Sequence, residues 1–125
     1  MTRTYPAQFV YIVDDDAGVR SGLSRLLRSA GLDARSFETP EAFLAEVANR
    51  DHACVLLDIT MPGMSGPKVQ AELNRRGITL PVIAVSAHDD PESRSRAHAA
   101  GAKLFLRKPV DDQALLDAIH WVTQL

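Results

Sequence analysis

The chain has 125 residues, 46% of them apolar and 24% charged, with a formal net charge of −2. That is the size of one globular domain able to bury its own core, and the charge balance offers no basic stripe for nucleic acid. A single cysteine, Cys54, excludes an internal disulfide and points to a reducing, cytoplasmic setting. No apolar run reaches membrane-spanning length, and Met1 to Gln8 carries no signal-peptide core.

Phe9 to Val13 (FVYIV) is an aromatic and β-branched run, a strand by propensity, and it runs into Asp14-Asp15-Asp16. Val19, Leu23, Leu26, Leu27 and Ala30 then recur at helical spacing, and Gly31 ends that helix. Asp33 to Phe37 reads as a weaker strand near a sheet edge. Thr39-Pro40 supplies a capping hydroxyl and a first-turn proline for a second helix, with Ala42, Phe43, Leu44 and Val47 as its buried face. Cys54 to Leu57 is continuously apolar, as a strand buried on both faces should be, and it delivers Asp58 to a sheet edge before the turn Met61-Pro62-Gly63.

Ser65-Gly66-Pro67 repeats the cap-and-proline pattern, followed by Val69, Ala71 and Leu73 and a stop at Gly77. Pro81 to Val85 (PVIAV) is another buried strand, ending in Ser86-Ala87. A polar segment from His88 to Glu92 leads into a helix reaching Ala100, whose apolar content is mostly alanine and whose packing is therefore expected to be shallow. Lys103 to Leu106 is the last strand, followed by Arg107-Lys108-Pro109. Asp111 caps a final helix with Leu115, Ala118, Ile119 and Val122 on one face.

Strand and helix alternate five times, which predicts a parallel sheet with helices on both faces, a doubly wound α/β fold. In such sheets function sits beyond the carboxyl ends of the strands. The residues expected there are Asp14, Asp15 and Asp16 after the first strand, Asp58 after the third, Ser86 after the fourth and Lys108 after the fifth. Carboxylates crowded together share protons or bind a cation, and an all-oxygen donor set favours a hard divalent ion such as Mg²⁺. A carboxylate nucleophile, a hydroxyl, an ammonium and a metal are the parts that phosphoryl transfer needs. No glycine-rich phosphate loop follows the first strand.

Val13-Asp14-Asp15, Leu57-Asp58 with Met61-Pro62-Gly63, Ser86-Ala87, Gly101-Ala102 and Lys108-Pro109 fall in one order across the chain. In this the chain resembles a response regulator receiver domain of two-component signalling. The resemblance implies a flavodoxin-like five-stranded sheet of order 2-1-3-4-5 with five helices, filling 1–125 as a single domain with no output domain in it. It implies Asp58 as phosphoacceptor, Mg²⁺ (or Mn²⁺) on Asp15 with Asp14 beside it and on Asp58, and the backbone carbonyl of Thr60 as a further ligand. Ser86 would be the switch hydroxyl, Phe105 its rotamer partner, and Lys108-Pro109 a cis peptide. A sensor histidine kinase would be the phosphodonor. An output domain or second receiver would meet the surface of the fourth helix and fifth strand. The first helix and the Met61–Gly66 loop most resemble receivers joined to LuxR-type output domains. Such a domain is a cytoplasmic signalling module. It is not an enzyme in its own right, although it catalyses its own phosphorylation and dephosphorylation, and it binds neither nucleic acid nor membrane.

Plainer readings compete at single positions. Asp16 is best read as a helix cap, Cys54 as a buried structural thiol, and Phe105 from its residue type alone as a partly buried strand aromatic. His52, His88, His98 and His120 share no metal-ligand spacing. Lys108 stands out because lysine occurs only at Lys68, Lys103 and Lys108 among fourteen basic residues. An aspartyl-phosphate phosphatase would want a second aspartate where Thr60 stands, and a flavin protein would not place three acids after its first strand.

Overall fold

The computed structural model describes residues 8–61, 66–88 and 90–124. The Pro62-Gly63 turn, the Ser65 cap and Asp89 lie outside the described residues. Five strands and five helices alternate: β1 (Phe9–Val13), α1 (Ala17–Ser29), β2 (Asp33–Phe37), α2 (Pro40–Glu46), β3 (Ala53–Asp58), α3 (Gly66–Arg75), β4 (Val82–Ser86), α4 (Pro91–Ala100), β5 (Leu104–Arg107) and α5 (Asp112–Thr123). All pairings are parallel, in the order β2-β1-β3-β4-β5.

The alternation of side chains across the sheet separates two apolar layers. Tyr11, Val13, Phe37, Val55 and Leu57 face Phe43, Leu44, Val69 and Leu73, so α2 and α3 cover that side. Val10, Ile12, Cys54, Leu56 and Ile83 face Leu27, Leu115, Ile119 and Val122, so α1 and α5 cover the other. β3 and β4 are buried along their whole length, which is why they read as unbroken apolar runs. Strand β2 is mostly exposed, as an edge strand should be.

Helix boundaries follow local chemistry. Asp16, Thr39, Asp90 and Asp111 cap their helices by accepting the N–H groups of Val19, Ala42, Ser93 and Ala114. Gly31, Gly77 and Gly101 adopt positive φ just beyond α1, α3 and α4, a conformation that glycine enters without a Cβ clash. Two expected core positions, Ala42 and Ala71, are instead exposed, and Val47 is a half-buried cap in extended conformation beyond the short α2. A methyl side chain contributes too little burial to decide which face of a helix turns inward. Helix α4 is anchored by a small cluster of Ala84, Ala97 and Ala102 with Ile59 and Phe105 beside it, as its alanine-rich sequence predicts. Among the described residues no helix is long and apolar enough to cross a membrane.

Candidate functional site

Strand register assembles the site. Val13 of β1 pairs with Leu57 of β3, so Asp14 and Asp58 emerge side by side one residue later. Asp58 pairs with Val85, placing Ser86 one step beyond it on β4, and Ser86 pairs with Arg107, so Lys108 follows on β5. Because β1 lies between β2 and β3, the chain's winding direction reverses beside β1 and β3, and a crevice opens there at the carboxyl edge.

Asp14 and Asp58 are buried, at 3% and 4% exposure, whereas Asp15 is exposed. The Lys108 ammonium donates to Asp14 Oδ2 at 2.8 Å and to Asp58 Oδ2 at 3.0 Å. Burial alone pulls the Lys108 pKa down and is the largest single influence. The hydrogen bonds and charges of Asp14 and Asp58 together outweigh it, so the ammonium is held above its ordinary value. The Lys108-Pro109 peptide is cis.

The other oxygens of these residues tie down the loops. Asp14 Oδ1 accepts the N–H of Asp16 at 2.9 Å, Asp58 Oδ1 accepts the N–H of Thr60 at 2.9 Å, and Ser86 Oγ accepts the N–H of His88 at 2.9 Å. Three strand-end residues thus fold back on the backbone two residues ahead, as Asx and Ser/Thr turns do. The Thr60 hydroxyl adds a second donor to Asp58 Oδ1, at 2.6 Å. Sequence reasoning gave Thr60 a carbonyl role and missed this contact. A hydroxyl two residues after a strand-end aspartate was the available signal. Arg20, also missed, donates to the Asp14 carbonyl at 2.8 Å and binds α1 to the same loop.

One oxygen each from Asp14, Asp15 and Asp58 lies within 4.8 Å of the others. Three carboxylates against one ammonium leave excess negative charge, and an all-oxygen donor set fits a hard divalent cation. These three residues could hold such an ion. Asp16 caps α1 and is no member of the cluster. Ser86 is buried at 1% exposure. Phe105 is half-buried, with the guanidinium of Arg94 4.9 Å from its ring centroid.

Fold and site together define a doubly wound α/β domain whose switch-point crevice holds a carboxylate cluster bridged by a lysine. The chain belongs to the response regulator receiver domain family, whose model matches residues 10–120. It is 43% identical over 119 residues to the transcriptional regulatory protein TdiR of Thauera aromatica, an alignment covering 95% of this chain and 52% of that one. The chain spans about half the length of such curated relatives. Among solved structures, the response regulator StyR matches with a TM-score of 0.85 and 43% identity over 95% of this chain and 60% of that one. The structure titled FixJ-N matches with a TM-score of 0.87 and 31% identity over 96% of each chain.

Proposed function

We propose that this domain is a phosphoacceptor switch that takes a phosphoryl group from the phosphohistidine of a sensor histidine kinase onto Asp58. The observation that carries this reading is the lysine bridge between two buried, register-matched carboxylates with a third beside them. In the transfer the P–N bond of the donor breaks as a P–O bond to an Asp58 carboxylate oxygen forms. The electron pair stays on the imidazole nitrogen. Asp14, Asp15, Asp58 and the carbonyl of Thr60 would hold Mg²⁺ (or Mn²⁺), which when bound neutralises charge on phosphoryl oxygens.

The remaining steps belong to the protein. Lys108 exchanges a carboxylate oxygen of Asp58 for a phosphoryl oxygen and so keeps one anionic partner throughout. Ser86 Oγ already accepts from His88, and its own O–H is free to turn toward the new dianion. A cavity of about 380 Å³ lies behind Ser86, lined by Ala84, Ala97 and Ala102. That space, under a helix anchored by alanines, gives α4 room to shift, and Phe105, packed against the same alanines, would turn with it. The phosphoryl charge thereby biases the α4–β5 surface, where an output domain or a second receiver would dock. The domain is a cytoplasmic signalling module and not an enzyme with a separate substrate, and it makes no direct contact with nucleic acid. Relatives named as transcriptional regulatory proteins, with chains about twice as long, favour an output domain as the partner of this receiver, and the LuxR type is the one that the α1 and Met61–Gly66 sequences resemble.

Incubation with a small phosphodonor and Mg²⁺, followed by intact mass, tests this. One phosphoryl group should add to the parent chain and none to Asp58→Asn. An adduct retained in Asp58→Asn refutes the assignment.

A further inference from the structure

A buried amide ordinarily finds hydrogen-bond partners, because leaving its donors and acceptor unmet disfavours the folded state. Gln70 on α3 is only 7% exposed. Among the described residues, nothing donates to or accepts from its side-chain amide, although every wholly sealed side-chain nitrogen and oxygen there has a partner. The amide is therefore open to the cavity of about 380 Å³ between α3 and α4, which Gln70 lines. The side chain is packed in place: Cγ and Cδ lie 3.3 Å, and Nε2 3.6 Å, from where a Cβ on Gly101 would sit, at the C-cap of α4.

The walls around this amide are mainly apolar. Val82, Ala84, Ala97, Ala100 and Ala102 form them, and the alanines leave unfilled the space that larger side chains would take. An apolar recess with a few placed polar groups is the make-up of a small-molecule site. A cavity of ~150 Å³ suffices for benzene, so this one takes a ring together with a polar substituent. A glutamine amide offers an acceptor beside its donors. Its complement is another carboxamide, which returns both hydrogen bonds as a pair.

We propose that the recess between α3 and α4 is a binding site for a compact apolar molecule bearing a carboxamide, seated with that group on Gln70. An occupied recess denies α4 the space into which it shifts, and so holds the switch off. That consequence rests on the reading of Asp58 as phosphoacceptor; the site itself does not.

Benzamide is the probe, beside acetophenone, which keeps the ring and carbonyl and lacks the N–H donors. Each is titrated into the unphosphorylated chain and followed by backbone-amide NMR. Benzamide should shift the signals of residues 97–102 saturably with a Kd of about 1 mM, a fragment's affinity, and acetophenone should bind about fivefold more weakly. Gln70→Met keeps the length of the side chain and removes the amide. It should weaken benzamide binding about tenfold and raise the thermal midpoint by about 3 °C, since an unmet amide is gone. No saturable shift up to about 20 mM benzamide overturns the site, water alone then serving the amide. Equal affinity for the two probes, or undiminished binding to Gln70→Met, overturns the role of Gln70, and a lowered midpoint would show that its amide has a partner within the protein. After treatment with a small phosphodonor and Mg²⁺ the parent should bind benzamide about fivefold more weakly, while Asp58→Asn keeps its affinity. Equal affinity in the labelled and unlabelled parent overturns the coupling. If the donor fails to label the parent, the phosphoacceptor reading falls and the coupling with it, while the binding arm still decides the site.

Discussion

Lys108→Met keeps most of the side-chain stem and removes the ammonium, leaving Asp14 and Asp58 facing each other without a counter-charge. Their clustered oxygens lie within 4.8 Å, where two like charges repel by about 3.5 kcal/mol at an effective dielectric of ~20. Breaking a fully buried ion pair costs about 3–5 kcal/mol. The Lys108 side chain is 22% exposed, so water replaces part of what is lost, and the expected destabilisation is about 2–3 kcal/mol. For a domain of this size that lowers the thermal midpoint by about 8 °C. Urea unfolding near neutral pH in the presence of a chelator measures it, with the midpoint falling and the slope unchanged. Added Mg²⁺ should stabilise the variant more than the parent, because in the parent the ammonium already satisfies the carboxylates that the ion would share. A loss below about 0.5 kcal/mol, or equal gains from Mg²⁺ in the two proteins, would refute the reasoning. The pH dependence follows in sign. Folding raises the Lys108 pKa, so the native chain holds that proton more tightly than the unfolded one. The resulting stability is complete below the ordinary lysine value of 10.5 and is lost as pH climbs through the higher folded value. Lys108→Met should lack this alkaline loss.

Asp15→Ala should weaken divalent-cation binding at least ~10-fold, yet change stability in a chelator by less than ~0.5 kcal/mol, because Asp15 is exposed; calorimetric titration showing unchanged affinity would remove it from the ligand set. Asp16→Ala should cost about 1 kcal/mol of stability through loss of the α1 cap, and a drop in cation affinity as large as that of Asp15→Ala would contradict the capping role. Burial pushes the Cys54 thiol up to about 12, so a thiol reagent near pH ~8 should label it only through unfolding. Labelling of the native chain as fast as a free thiol would show that β3 is accessible.

Strands β3 and β4 were legible because burial on both faces demands an unbroken apolar run, and ACVLLD and VIAVS have almost nothing else to offer. Helix ends were legible for an equally local reason. A capping carboxylate or hydroxyl, and a glycine with positive φ, act within a few residues of the helix they bound. Ala42 and Ala71 were misplaced because a methyl group leaves facing undecided, and the fate of Val47 depended on where α2 stopped. Trp121 is 54% exposed, on the face of α5 turned away from Leu115, Ile119 and Val122.

The sequence by itself determined the class of fold, the strand that carries Asp58 and the residues at each strand's carboxyl end, because periodicity, capping and turn chemistry are short-range. Only the tertiary structure decided what those residues do to one another. Lys108 reaches Asp14 across 94 positions of chain and Asp58 across 50. That meeting depends on sheet order and register, which no local pattern encodes. The Thr60 hydroxyl on Asp58 and the Arg20 contact to the Asp14 carbonyl are of the other kind: they span two and six positions, and local chemistry could have found them. The Lys108 contacts depend on where β1, β3 and β5 come to rest beside one another, and packing alone sets that.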